Sequence, residues 1–339
     1  MSVKRSRVRE LLDRARDVRL AVIGDCMLDV YLMGNVGRIS PEAPVPVVQI
    51  EAERSAPGGA ANVAAGIVSL GATCELIGVL GDDAPAELFF GVLGELGVGR
   101  ERLIASPERR TSTKTRVMVR HQHVVRFDRE SEEDISEELA DRVIDNLMKV
   151  ADSADAVILS DYNKGVLVPS VIRRAIDVAR RRDAPTVADP KFRHFFDYQG
   201  ATVFKPNSSE LAAALGVPSA PRDKESLARA RERLGCDQLL LTLADEGMLL
   251  FGPDEEPRHI RAAAHEVFDV SGAGDTVTAV VATCLAAGAT AYEAAVVANY
   301  AAGVSVSKAG VALVRPPEIL AAVEAGVSRM ESHEGGEMA

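Results

Sequence analysis

The sequence predicts an α/β fold, a parallel sheet flanked by helices, with a small β-sheet standing off it as a lid. Three observations predict it. Short β-branched runs alternate with helical apolar patterns along most of the 339 residues. Glycine turns, at Gly58-Gly59 and at Gly272-Ala-Gly274, lead directly into helical patterns. Two stretches rich in Val, Arg and Thr, about 30–57 and 111–130, break the alternation and read as strands of the lid.

In chain order, Val8, Leu11, Leu12 and Ala15 recur at helical spacing and predict a short surface helix. Core strands are expected at 20–24, 74–78, 156–160, 186–188, 202–204 and 238–243, followed by an antiparallel pair at 247–251 and 258–261. Segments 61–70, 84–96, 137–150, 168–182, 210–215 and 224–234 read as the helices between them. Val277, Val280, Val281, Cys284 and Leu285 form an apolar stripe at i, i+3, i+4, i+7 and i+8. The long uncharged run from Asp275 to Glu293 is Ala-rich and broken by Gly288, which suits two buried helices better than a membrane span. Pro41, Pro44 and Pro46 punctuate the first lid stretch. A single domain over 1–330 with a frayed tail at 331–339 is expected.

Composition narrows the function. A net charge of −11 opposes general binding to nucleic acid or to an anionic membrane. Cys26, Cys74, Cys236 and Cys284 lie far apart with no CxxC pair, the usage of buried, reduced thiols. Lys4, Arg5, Arg7 and Arg9 make a basic start, but Glu10, Asp13 and Asp17 intervene and no apolar stretch follows, so no signal peptide is read. A soluble, cytoplasmic protein is expected.

The strongest local signal is Asp269-Val-Ser-Gly-Ala-Gly-Asp275 ahead of the helical stripe. Amides of Gly272, Ala273 and Gly274 at a helix N-terminus form an anion hole, since unpaired N–H groups and the helix dipole both favour phosphate oxygens. Asp275, in the first turn, can accept a proton from a hydroxyl attacking a γ-phosphate. The alternative is a glycine turn whose Asp caps a helix. Pro57-Gly58-Gly59-Ala-Ala-Asn62 allows a polyol to lie against the backbone while Asn62 bonds its hydroxyls. Asp25 and Asp29, after the first strand, stand where ligands of open sheets bind. Lys205-Pro-Asn207-Ser208-Ser209-Glu210 either faces magnesium near the phosphates through Asn207 and Glu210, or forms a helix capping box.

These motifs, in this order and spacing, resemble the ribokinase-like carbohydrate kinase family over roughly residues 18–325. The resemblance implies a doubly wound, mostly parallel sheet with a β-sheet lid, and Asp275 as catalytic base beside the anion hole at Gly272, Ala273 and Gly274. It implies ATP contacts through Asn207, Ser208, Ser209, Glu210, Thr242, Gly247 and Asn299. ATP and Mg2+ follow as cofactors, with Glu210 and Asp269 as metal candidates. The family pattern usually has Thr where this chain has Val270 or Ser271, a departure that bears on any K+ site at Asp269.

Arg38-Ile-Ser-Pro-Glu-Ala-Pro-Val-Pro-Val47, Ser160-Asp-Tyr-Asn-Lys-Gly165 and Asp189-Pro-Lys191 are similar to the branch of that family acting on D-glycero-D-manno-heptose 7-phosphate. The implied product is heptose 1,7-bisphosphate, for ADP-heptose and lipopolysaccharide core synthesis. The sugar is then expected on Asp29, Gly58, Gly59, Asn62, Asp161 and Asp189, and its phosphate on Lys114, Arg116, Arg126, Lys164 and Lys191. A dianion needs such partners, because burying it unpaired is costly. Arg120 is read as a surface charge, and so are Asp152, Asp155 and the run 130–134. Bifunctional relatives carry an HxGH nucleotidyltransferase motif that is absent here, so a stand-alone kinase is expected.

No GxxxxGK[ST], HRD or DFG sequence occurs, which excludes a P-loop enzyme and a protein kinase. His121-Gln-His123 offers two imidazoles without a third ligand and reads as exposed lid histidines. The alternatives kept open are a kinase for fructose, ribose or 2-keto-3-deoxygluconate, and a sugar-sensing regulator without catalysis. Lid positions such as Val45, Val47, Val117 and Val119 would expose apolar surface, so a homodimer through the lid is expected, with a small-molecule sugar phosphate and ATP as the other partners.

Overall fold

The computed structural model describes residues 3–120, 122–253, 255–264 and 266–334. The first half of the chain runs α1 (Arg5–Arg14), β1 (Arg19–Gly24), β2 (Cys26–Ile39), β3 (Pro46–Gly59), α2 (Ala60–Ser69), β4 (Thr73–Gly81), α3 (Ala84–Glu95), β5 (Leu103–Ser106), β6 (Ser112–Val119) and β7 (Gln122–Arg129). Then come α4 (Glu137–Val150), β8 (Ala156–Ser160), α5 (Pro169–Arg180), β9 (Thr186–Asp189), β10 (Val203–Phe204), α6 (Ser208–Leu215) and α7 (Lys224–Leu234). The last part holds β11 (Gln238–Thr242), β12 (Met248–Phe251), β13 (Arg258–Ile260), α8 (Ala273–Ala286), α9 (Ala291–Val306) and α10 (Pro316–Glu334).

The main sheet has nine strands in the order β13-β12-β11-β10-β9-β8-β1-β4-β5. It is parallel from β5 to β11, and antiparallel β12 and β13 close one edge. Strand residues alternate between two cores because side chains of a strand point to opposite faces. In β1, Leu20 and Val22 pack with Val63 and Ile67 of α2 and with Val280 and Val281 of α8. Ala21 and Ile23 pack instead with Val143 and Leu147 of α4 and with Ile172 and Ile176 of α5. Each fully buried Val, Leu or Ile contributes about 1.5–3 kcal/mol, so helix layers on both faces hold the sheet between them.

From β1 the chain order proceeds to β4 and β5 on one side and to β8 and beyond on the other. This reversal leaves a crevice past the carboxyl ends of β1 and β8, the place where open α/β sheets bind ligands. The lid rises over it. Strands β3-β2-β6-β7 form a second sheet in which β2 pairs antiparallel with β3 and parallel with β6, and β6 pairs antiparallel with β7. Only Asp25 separates β1 from β2, so one extended segment passes from the core into the lid.

Gly59 joins the lid to α2 with φ +61, and a Cβ there would stand 2.3 Å from the Asp25 carbonyl oxygen. Gly59→Ala is therefore expected to lose ~1–3 kcal/mol from the backbone conformation, with the clash added. A thermal midpoint equal to that of the unmodified protein would contradict this reading.

Two elements lie outside the sequence expectation, the four-residue edge strand β5 and helix α10. Helix α1 is not a bare surface helix: Val8, Leu11 and Leu12 are buried, and Arg7 pairs with Glu293 of α9 at 2.9 Å. Helix α10 continues to Glu334, within the expected tail, and 335–339 lie outside the described residues. All four cysteines are free and buried, with burial pushing their thiols up. Among the described residues no helix is long and apolar enough to cross a membrane.

Candidate active site

Asp275 sits in the first turn of α8, buried at 7 % exposure. Gly272, the N-cap, holds φ +76, and a Cβ on it would come 3.0 Å from the Asn62 amide nitrogen. The close approach matters because Asn62 Nδ2 donates to Asp275 Oδ2 at 2.7 Å. The Tyr162 hydroxyl donates to the other oxygen, Oδ1. Burial pushes the Asp275 carboxyl up to about 6, against the hydrogen bonds from Tyr162 and Asn62 and the charge of Lys205, while nearby Asp189 adds to the rise.

The amides of Gly274 and Asp275 find no acceptor among the described residues, and that of Ala273 makes only a long 3.3 Å bond to Val270. These are the open donors of a helix N-terminus. Lys205 completes the surroundings: a Cβ on Gly274 would lie 3.9 Å from its ammonium. Lys205 is 4 % exposed and pairs with Asp189 at 3.1 Å, which also accepts from the Thr278 hydroxyl at 2.8 Å. Tyr162, Lys205 and Thr278 were not among the residues predicted for the site. Tyr162 and Lys205 stand inside motifs that had been singled out, each just after a strand, and position was the available signal.

Asp29 is buried and bonds Arg116 at 2.7 Å, and its carboxyl is held up by burial in spite of that partner. A Cβ on Gly58 would stand 3.2 Å from Asp29 Oδ2, one on Gly59 would stand 2.3 Å from the Asp25 carbonyl oxygen, and of Gly58, Gly59, Asp29 and Asn62 it is Asn62 that touches Asp275 directly. Asp25 does not face a ligand. Its carboxylate accepts from the amides of Tyr162, Lys164 and Val166 at 2.8, 2.9 and 3.0 Å and so ties the 162–166 loop to β1. Asp161 is engaged too, accepting from the Asn163 amide at 2.7 Å and the Tyr198 hydroxyl at 2.8 Å. Burial, with the charge of Asp25, pushes it up to about 6.

The cations expected to hold a phosphate are all paired. Lys114 meets Asp128 at 3.1 Å and Glu130 at 2.9 Å; Lys164 meets Glu130 at 2.7 Å and Glu132 at 3.1 Å. Arg126 pairs with Asp128 at 2.9 Å on the exposed side of the lid, and Lys191 pairs with Glu210 while lying 5.5 Å from the Tyr162 ring centroid. This corrects the reading of Glu130 as solvated charge, whereas Glu132, Glu133 and Asp134 are exposed as expected. Burial alone would raise Glu130, but Lys164 and Lys114 hold its carboxyl below the usual range. Arg120 is exposed, as expected. His121 lies outside the described residues.

On the opposite side, Asn207 and Glu210 form the capping box of α6, with reciprocal 2.8 Å bonds. Ser208 donates to the Thr242 carbonyl at 3.4 Å, Ser209 is exposed, and Gly247 closes the turn after β11 by donating to Ala244 at 3.1 Å. Asn299 lies on α9 and donates to the Arg261 carbonyl at 2.8 Å. The two metal candidates do not fit a resident ion. Glu210 is shared between the cap and Lys191, and Asp269 accepts from the amides of Ser271 and Gly310 at 2.9 and 3.1 Å. Among the described residues no group of three or more His, Cys, Asp or Glu side chains could hold a metal.

A doubly wound sheet, a clasping second sheet and a buried aspartate at a helix N-terminus together define the ribokinase-like fold. Ribokinase of Arabidopsis thaliana, solved with ribose and ATP, superposes with a TM-score of 0.69 at 21 % identity, covering 90 % of this chain and 98 % of that one. Phosphofructokinase-2 of Escherichia coli, in complex with fructose-6-phosphate, gives 0.72 at 17 % identity over 91 % and 98 %. Likeness at such identities is one of fold. Residues 18–318 match the pfkB family carbohydrate kinase, and the chain belongs to that family. It is 45 % identical to the bifunctional protein HldE of Pelobacter propionicus over 97 % of its own length and 68 % of the relative's. With HldE of Trichlorobacter lovleyi the identity is 43 %, over 94 % and 65 %. The chain thus spans about two thirds of these relatives.

Proposed function

We propose that this carbohydrate kinase transfers the γ-phosphoryl group of MgATP to the anomeric hydroxyl of D-glycero-D-manno-heptose 7-phosphate, giving heptose 1,7-bisphosphate and ADP. The observation that carries the chemistry is buried Asp275 beside the open amides of Gly274 and Asp275, with Lys205 facing them. The heptose assignment rests on the similarity of segments 38–47, 160–165 and 189–191 to that branch of the family. Mg2+ enters with the nucleotide as part of the substrate. Asp275 takes the proton of the sugar hydroxyl during in-line attack, and the amides and Lys205 stabilise charge on the transferring group. Asp29 and Asn62 orient the sugar, while Asn207–Glu210, Thr242 and Asn299 border the nucleotide. Closure of the lid excludes water and suppresses ATP hydrolysis.

The paired state of Lys114 and Lys164 favours a second reading, a kinase for a sugar without a phosphate. A coupled ADP-release assay separates the two, with the heptose phosphate, fructose, fructose 6-phosphate, ribose, 2-keto-3-deoxygluconate and adenosine as acceptors. Selective turnover of the heptose phosphate supports the first reading. Turnover of a neutral sugar replaces it with the second, and silence on every acceptor defeats both.

Of the apolar lid positions expected to be exposed, Val117 is buried and Val47 and Val119 are half-buried, but Val45 is exposed, and with Ile39, Val125 and Phe127 it supports a homodimer built on that sheet. Light scattering at micromolar concentration is expected to return twice the chain mass. A monomer mass would count against the dimer.

A further inference from the structure

A base has to offer an oxygen to the hydroxyl it deprotonates, yet both oxygens of Asp275 are occupied. Asn62 holds Oδ2 from the first turn of α2, where it is 6 % exposed and fixed by the helix. Tyr162 holds Oδ1 from the loop after β8. The two donors differ in kind. Asn62 contributes an amide N–H, whereas Tyr162 contributes an O–H, the same group that an acceptor sugar brings. Tyr162 is also the more accessible of the two, with its ring under the Lys191 ammonium at 5.5 Å and its own amide bound to Asp25.

We infer that the Tyr162 hydroxyl is a resident stand-in for the acceptor hydroxyl, a positioning residue that holds Asp275 before the sugar binds and yields its place when the sugar arrives. The inference rests on Asp275 being the base. Charged groups facing the pair are Asp189 from β9, Lys205 after β10, Asp29 from β2 and Lys191 after β9. Against that fixed surrounding, a hydrogen bond donated to the carboxylate stabilises the ionised form. Its removal raises the Asp275 pKa in the free enzyme, and it leaves the sugar complex unchanged, because there the sugar hydroxyl has replaced the phenol.

The test is the pair of pH profiles for Tyr162→Phe, which keeps the ring. The kcat/KM profile for the sugar reports the free enzyme, and kcat, taken in single turnover, reports the complex. The acid limb of kcat/KM is expected to move up by about one pH unit, the scale of one hydrogen bond to a charged group. The kcat limb is expected to stay in place. A phosphate on the sugar titrates nearby but contributes equally to both proteins. A kcat/KM limb that does not move overturns the inference, and so does an equal movement of both limbs, which would mean that Tyr162 stays on Asp275 through turnover. 3-Fluorotyrosine at position 162, a stronger donor of the same shape, should move the kcat/KM limb down, and an upward or null shift again overturns it. Asp275→Asn is run alongside. If that variant is dead and Tyr162→Phe shifts nothing, only the stand-in fails; if it turns over normally, the base assignment falls and takes the stand-in with it.

Discussion

Asp275→Asn is expected to lower kcat by about 10²–10⁴-fold in the ADP-release assay, the usual scale for loss of a general base. The amide has nearly the volume of the carboxylate and can still accept from Asn62 Nδ2, so the start of α8 keeps its shape. What it loses is the capacity to take a proton. Binding of the sugar, measured by calorimetry without nucleotide, should change little, which places the loss in the transition state and not in the ground state. Burial in a site that also holds Asp189 pushes the carboxyl up to about 6. Below that pH the unmodified enzyme should lose kcat/KM for the sugar as its base becomes protonated. Near-normal turnover of Asp275→Asn would remove the base from this residue.

Lys205→Met is expected to cost about 10²–10³ in kcat, comparable with removing one preorganised donor to developing charge. The ammonium faces Gly274 from a site almost closed to water, where its field is screened little. The same substitution has a structural effect that must be separated. Asp189 would be left buried with only the Thr278 hydroxyl, and an orphaned buried charge costs ~3–5 kcal/mol. Adding Asp189→Asn relieves that penalty. The double variant should regain most of the thermal midpoint while turnover stays low. Recovery of turnover together with stability would mean that Lys205 only neutralises Asp189.

Local signals were legible to the residue where a capping side chain marked the start. Helices 137–150 and 224–234 are found at those bounds because each starts on a capping side chain, Ser136 and Asp223. The glycine motif before Asp275 gave the position of the helix N-terminus for the same reason, since all its parts lie within one turn. Long-range partners were not legible. Tyr162 reaches Asp275 across 113 residues, and neither residue type nor spacing announces that contact. Lys114 was read as a phosphate ligand although its partners Asp128 and Glu130 stand 14 and 16 residues on, because a run of acids looks solvated until the fold buries one of them. Glu130 is that one. The capping box at Asn207 and Glu210 was foreseen as the alternative to metal binding, and the structure forms it. Edge strand β5 is too short to carry a period, so its absence from the sequence reading follows from length.

Asp25 belongs to neither sheet, and both hydrogen-bond donors to Asp275 sit on elements tied to it. Its carbonyl accepts from Ala60 at the start of the Asn62 helix, and its carboxylate grips the loop that carries Tyr162. It is also the one residue between β1 and β2. A lid turning about this junction would have the anchor of the chemistry as its fulcrum. A rigid swing displaces each point in proportion to its distance from the axis, so the tip near Ile39 and Pro46 would sweep far while Asn62, Tyr162 and Asp275 scarcely travel. Opening and closing the cleft need not re-aim the groups inside it.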